Sequence, residues 1–205
     1  MSLFCNIVNE IVYLAPTLIV IELLLVFLQV HGDHERSRRE TTVNTLSNWC
    51  NSIKEETIVA KAIVEKLTPE QCRNLYNRTE FRVNRELYSM LREIANIPQI
   101  ENEGDECRVS GEALNILRWH VISYLNLLET TLLSWKLEIS NQEIIENEFR
   151  FLHDSAQGKD CIKNFRDATG NCYPVIDEFL TRLVENEKAR TNRSKYRPIF
   201  KPRHK

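Results

Sequence analysis

Residues 11–30 read I-V-Y-L-A-P-T-L-I-V-I-E-L-L-L-V-F-L-Q-V, an apolar run interrupted by one carboxylate, Glu22. About 20 predominantly apolar residues cover roughly 30 Å as a helix, the thickness of a bilayer's hydrocarbon core. Helices buried in globular domains carry an apolar stripe, whereas this run is apolar on every side. It predicts a transmembrane helix over 11–30, with 1–10 as a short extracytoplasmic N-terminus. No lysine or arginine precedes the run and 27–33 offers no small-residue cleavage site, so a removable signal peptide is not expected.

Arg36, Arg38 and Arg39 crowd the flank 31–40, suited to contact with the lipid surface. Basic flanks stay on the cytoplasmic side, which predicts a single-pass protein of the inner (plasma) membrane with its C-terminal domain in the cytoplasm. The reverse orientation instead exposes two glycosylation sequons, Asn77-Arg78-Thr79 and Asn192-Arg193-Ser194. Glu22 has two readings. It faces a bundle interior or water, or it is protonated and tolerated in lipid. Both favour association of several copies, because a partner helix satisfies a carboxyl that lipid cannot. Pro16 lies earlier in the same run and removes a backbone donor; it is read either as a kink that serves oligomerisation or as a proline that a membrane helix simply tolerates.

The remainder has the size of one domain. From Thr41 to Glu187 there are 24 acidic and 16 basic residues, whereas Lys188 to Lys205 holds 8 basic residues and no acidic one. An acidic body, 41–187, thus carries a basic tail, 188–205. Six cysteines form no C-x-x-C pair, and no paired Cys/His spacing supports a metal site. Five glycines build no phosphate loop and no nucleophile elbow. No cofactor is expected, and no catalytic residue is assigned.

The apolar pattern along the domain is helical. Val43, Leu46, Cys50, Ile53, Thr57, Ala60, Val64 and Leu67 step by three and four, predicting one helix with a seam. Thr68-Pro69-Glu70-Gln71 is a start signal for a second helix, which Pro98 ends, with a break expected near Asn77. Gln99 to Arg108 reads as an exposed acidic loop. Ser110 caps a long helix to about Ile139, and Ser140-Asn141-Gln142-Glu143 forms a capping box for the next, which Gly158 stops. A short helix over Asp160 to Ala168 and a last one from Pro174 complete the chain. No alternating strand pattern competes, so the expected class is all-α: one transmembrane helix followed by a cytosolic bundle of about five to six helices.

The string Tyr124-Leu125-Asn126-Leu127-Leu128-Glu129, the capped helix ending at Phe149-Arg150-Phe151 and the Tyr173-Pro174 helix resemble a broad group of bacterial proteins. Those pair one N-terminal membrane helix with a small cytosolic helical domain. The resemblance covers about 41–187. It implies that architecture and a bacterial origin, and it carries over no active site.

Four arginines, Arg78, Arg82, Arg85 and Arg92, fall on one face if the second helix is continuous, and such a row suits an anionic ligand such as a nucleotide. The competing reading is a solvated face with local pairing to Glu86 and Glu93. His31, Asp33, His34 and Glu35 cluster at the membrane exit without rigid ligand spacing, so no metal is assigned to them. His120 and His153 are isolated and read as partly buried histidines. In the tail, Lys195, Arg197, Lys201 and Arg203 interleave with Tyr196, Pro198, Phe200 and Pro202, a composition suited to lipid or nucleic acid. Tethering favours lipid. The competing reading is a solubilising terminus.

Three functions follow. The leading one is a non-enzymatic membrane protein whose cytosolic domain self-associates and senses or recruits a partner or small anionic ligand; in its sharpest form it is a signal-gated membrane effector in bacterial antiviral defence. The second is a membrane-anchored adaptor or scaffold with a passive span. The third, a hydrolase or transferase, lacks any motif to carry it.

Overall fold

The computed structural model describes residues 2–96, 105–154 and 159–195, with side chains described over 19–96, 105–153 and 161–189. The chain is predominantly helical, as expected. Its elements are α1 (Ser2–Ser52), α2 (Glu55–Glu65), α3 (Pro69–Tyr76), β1 (Phe81–Asn84), α4 (Arg85–Ala95), β2 (Glu106–Val109), α5 (Gly111–Lys136), α6 (Gln142–Glu148), β3 (His153–Asp154), β4 (Lys159–Asp160), α7 (Lys163–Ala168) and α8 (Pro174–Lys195), with a 3-10 turn at Phe149–Leu152 between α6 and β3.

The axis of the domain is α5. Leu114, Leu117, Val121, Leu125, Leu128, Leu132 and Trp135 recur at steps of three and four, and all seven are buried. Helices α1, α2, α4 and α8 pack around them. Burial of a large apolar side chain contributes about 1.5–3 kcal/mol, so this one helix organises much of the stability. The core is continuous from Trp49 on α1 to Leu183 on α8.

The segment read as a single seam is two helices. Helix α1 ends at Ser52, Ile53 and Lys54 are non-helical, and α2 begins at Glu55. On α1 the inward residues are Thr42 and Trp49, while Val43 and Cys50 are exposed. The indole of Trp49 sets that face by lying edge-on to Tyr124 and Phe149, with ring centroids 5.8 and 5.0 Å apart. On α2 the expected positions Thr57, Ala60 and Val64 are buried, as is Leu67 just beyond it.

The Thr68 start signal forms as a reciprocal capping box. Thr68 Oγ1 accepts from the Gln71 backbone N–H at 3.2 Å, and Gln71 Oε1 accepts from the Thr68 N–H at 2.8 Å. Helix α3 then stops at Tyr76, and Arg78 takes a left-handed φ of 58°. Residues 81–84 run as strand β1, antiparallel to β2 in the register Phe81↔Val109, Arg82↔Arg108, Val83↔Cys107 and Asn84↔Glu106. A second two-stranded ladder pairs β3 with β4. The expectation of no strands is thus corrected: F-R-V-N and E-C-R-V each alternate buried and exposed residues, but four residues are too few to stand out from a helical pattern.

Helix ends differ from expectation elsewhere as well. Helix α5 stops at Lys136, short of Ile139, because Glu138 adopts a left-handed φ of 56°. The N-cap of α6 is Asn141, whose side chain accepts from the Ile144 N–H at 3.1 Å; Ser140 is buried and bonded to the Ser134 hydroxyl instead. Of the acidic loop expected over 99–108, residues 99–104 lie outside the described residues and 106–108 belong to β2. Pro98 and Gly158, expected to end helices, are also outside them, but α6 already stops at Glu148, and the helix expected from Asp160 begins at Lys163 because Asp160 is paired in β4.

Among the described residues no helix is long and apolar enough to cross a membrane. Side chains on α1 are described from Ile19 onward, so residues 11–18 of the run lie outside the described side chains. Every residue from Ile19 to Val30 is exposed. Leu23 and Phe27 are 65% and 67% exposed and Ile21 and Leu24 are 48% and 59% exposed, so no side of this stretch packs on the domain.

Candidate functional site

The feature that sets this chain apart is the junction where the apolar part of α1 joins the domain. Helix α1 passes from the exposed stretch through 31–40 into the core without a break. Two polar contacts fix its height against the turn between α5 and α6. Arg38 Nε donates to the Glu138 carbonyl at 3.0 Å, and Thr42 Oγ1 accepts from the Asn141 N–H at 2.7 Å while donating to the Arg38 carbonyl at 2.7 Å. Thr42 is buried, and two turns further on Trp49 enters the aromatic cluster. Arg36 and Arg39 are exposed at this level, and Arg38 also stands 3.7 Å from Glu35. Arg36 and Arg39 are thus exposed beside the apolar stretch, whereas Arg38, expected to face lipid, is half-buried and committed to the Glu138 carbonyl and Glu35.

Glu22 is exposed on that helix among Ile19 to Val30. The backbone of α1 continues helically through Pro16, whose side chain lies outside the described residues. Lys195 ends α8 with its side chain undescribed, and Arg197, Lys201 and Arg203 lie outside the described residues.

The arginine row does not form as one helix face, because the helix meant to align it is interrupted. Arg78 sits in the left-handed turn after α3, Arg82 is on β1, Arg85 opens α4 and Arg92 is in its last turn. Arg82 lies 3.6 Å from Glu106 across the ladder. Glu86, expected to pair with Arg82, bonds Lys66 at 2.9 Å, and that ammonium holds its carboxyl below the usual carboxylate range.

Other candidate groups are committed to structure. Cys72 and Cys161 are buried, which pushes their thiols up to about 12 and about 11, away from thiolate nucleophiles. The Cys161 thiol and the Tyr124 hydroxyl are 3.8 Å apart, and burial likewise raises the phenol. Glu146 accepts from Trp135 Nε1 at 3.2 Å and Asn186 Nδ2 at 2.7 Å, in a cleft between α6 and α8 where His153 faces Glu187 at 3.7 Å. Among the described residues, no three His, Cys, Asp or Glu side chains converge as metal ligands, His31 and His34 included.

Two structural residues were missed by the sequence reading. Glu129 reaches from α5 to the start of α8, its two carboxylate oxygens accepting from the Val175 and Ile176 N–H groups at 2.9 and 3.0 Å. A carboxylate capping a helix N-terminus forms charge-assisted bonds of about 1.5–3 kcal/mol. This gives the Tyr124–Glu129 string a physical role: its leucines fill the core while its last residue caps the Pro174 helix. Arg166 is the second. Its buried guanidinium donates to the Cys161 carbonyl at 2.9 Å and pairs with Asp177, binding α7 to α8. Neither has a local signal, because each partner lies on another element.

His120 is buried on α5 with Nδ1 3.3 Å from Thr57 Oγ1. Burial pushes its imidazole below the usual range; Glu56 pulls partly the other way and Lys54 adds to the depression. The native state therefore binds fewer protons at this site than the unfolded chain, so the contribution to stability is present above the ordinary pKa of about 6.5 and is lost as pH falls through it. The urea midpoint of the wild type should drop on acidification from neutral pH, and His120→Gln, which keeps a hydrogen-bonding partner for Thr57, should drop less. Equal drops in the two proteins would exclude His120 as the source.

No family model, curated protein or solved structure matches the chain.

Proposed function

We propose that this is a single-pass membrane protein in which the helical domain is coupled mechanically to its span, acting as a signal-gated membrane effector. The observation that carries the reading is α1: one unbroken helix from Ser2 to Ser52 that is apolar and exposed over Ile19 to Val30 and locked into the core at Trp49. A passive anchor needs only a tether. A helix rigidly continuous with the core transmits any rotation or displacement of the domain to the span.

Supporting the membrane placement are the 11–30 run in the sequence and Arg36, Arg38 and Arg39 at its end, the order expected of a plasma-membrane span with its domain on the cytoplasmic side. Supporting self-association is Glu22, a carboxyl that a lone lipid-exposed helix leaves unsatisfied. The four arginines expected to hold a nucleotide-like ligand do not share one helix face, so the signal favoured is domain association or a protein partner. The adaptor reading retains one favourable observation: Ile58 and Trp119, 52% and 60% exposed, flank the Thr57–His120 contact and offer apolar surface away from the span.

The test uses the full chain in vesicles. It should resist carbonate extraction, run as an oligomer in mild detergent, and release an entrapped dye. Glu22→Leu should still resist extraction, while oligomer and dye release fall several-fold. Extraction of the wild type by carbonate would sink the membrane placement, and an unaltered Glu22→Leu would sink the effector role.

A further inference from the structure

We infer that copies of this chain associate in parallel through one stripe of α1, running from Glu22 in the span to Ser47 beside the domain, with their domains turned outward. This names the surface for the self-association proposed above and rests on that membrane placement.

Between Ile19 and Val30 two residues are polar, Glu22 and Gln29. They are seven positions apart, hence within about 20° of one another around a helix, and both are exposed. Lipid offers neither a hydrogen-bonding partner, so both call for a neighbouring helix on that one side. Steps of four and three carry the same stripe through Val26 and past the run to Asp33, Arg36 and Glu40. The same steps continue to Val43 and Ser47, and every residue of the stripe is exposed. Because α1 is unbroken, its phase can be followed from span to domain at about 100° per residue. The face that α1 gives to the domain is centred on Thr42 and Trp49. The stripe lies about 160° around the axis from that centre. A second α1 seated on it therefore stands on the side of the helix away from the domain.

The charges on the stripe say what covers it. Inserted copies share one orientation, so their helices run parallel and each residue faces its own counterpart. In such packing a side chain enters the gap between the residues three before and four after its counterpart. Arg36 thus packs between Asp33 and Glu40 of the second copy, and its own Asp33 and Glu40 flank the Arg36 opposite. Within one chain these three stand three and four positions apart, yet among the described residues none of them is ion-paired. An anionic surface would be repelled by two of the three, whereas a second copy matches all of them. Gln29 meets Gln29, whose amide both donates and accepts, and Glu22 two turns away faces the second helix instead of lipid. A seven-residue repeat drifts by about 20° per heptad on a straight helix, and a left-handed crossing of about 20° takes up that drift.

The experiment is cross-linking of the purified full chain in phosphatidylcholine vesicles. Its background carries Cys5→Ser, Cys50→Ser and Cys172→Ser and keeps the buried Cys72, Cys107 and Cys161. Into it goes one new thiol, either Ser47→Cys on the stripe or Asn48→Cys, the next residue and about 100° away around the helix. Both positions are exposed, and both stand about 25 Å beyond Val30, clear of the span. A disulfide needs Cα atoms within about 7 Å, so copper–phenanthroline should convert Ser47→Cys to covalent dimer several-fold faster than Asn48→Cys, and a large excess of lipid should leave that ratio standing. Equal rates, or a faster Asn48→Cys, would overturn the stripe. Resistance to carbonate and an oligomer in detergent without Ser47→Cys dimer would also overturn it, while sparing association through another face. Carbonate release of both chains would overturn the membrane placement, and this inference with it.

Discussion

Trp49→Ala is expected to lower the unfolding free energy of the helical domain by about 3–5 kcal/mol, a large share of the 5–15 kcal/mol typical of a domain. Among the described residues, Trp49 is the large apolar side chain that α1 buries, 7% exposed and edge-on to the rings of Tyr124 and Phe149. Truncation removes its burial and both ring contacts and leaves a cavity where three helices meet. Val43→Ala, on the same helix but 65% exposed, should change stability by no more than about 0.5 kcal/mol. Urea unfolding of the full chain in detergent reads both. Should Trp49→Ala be recovered in low yield, Trp49→Phe gives a milder version, with an intermediate loss and earlier proteolysis between Glu40 and Ser52. Equal midpoints for Trp49→Ala and Val43→Ala would mean that α1 is not docked through this face.

What was legible in the sequence divides by the range of the interaction. Capping chemistry is local, and Thr68 with Gln71 closes the box that their spacing predicts. Long periodic runs are nearly as legible: the seven residues of α5 that step by three and four, Leu114 to Trp135, are all buried. Failures occur where a distant partner decides. Residues 81–84 become a strand because 106–109 returns alongside them, and that pairing breaks the helix on which the arginine row depended. The face of α1 follows Trp49, whose partners lie on α5 and in the turn after α6. Glu129 and Arg166 act on elements 46 and 11 residues away, beyond any local pattern. For the candidate site, the apolar run, Glu22 and the basic flank are visible at once, whereas the unbroken passage of α1 into the core is not, since Gly32 stands between them and glycine weakens a helix interior.

That continuity leads to the most decisive expectation for function. Insertion of two alanines between Arg36 and Ser37 turns the span by about 200° relative to the domain, since each helical residue adds about 100°. Seven alanines turn it by about 700°, within about 20° of two full turns, and restore the phase. Both insertions fall in exposed positions before the Arg38 and Thr42 contacts, so the domain should unfold at its normal urea concentration. If the span is driven by the domain, two alanines should abolish dye release, seven should preserve most of it, and four glycines at the same place, which replace a stiff helix with a flexible joint, should abolish it again. All three chains should remain resistant to carbonate, which keeps loss of coupling apart from loss of insertion. A passive tether is indifferent to phase and stiffness alike, so equal dye release from all three insertions would return the span to a simple anchor and leave the exposed Ile58 and Trp119 as the surface through which the protein acts.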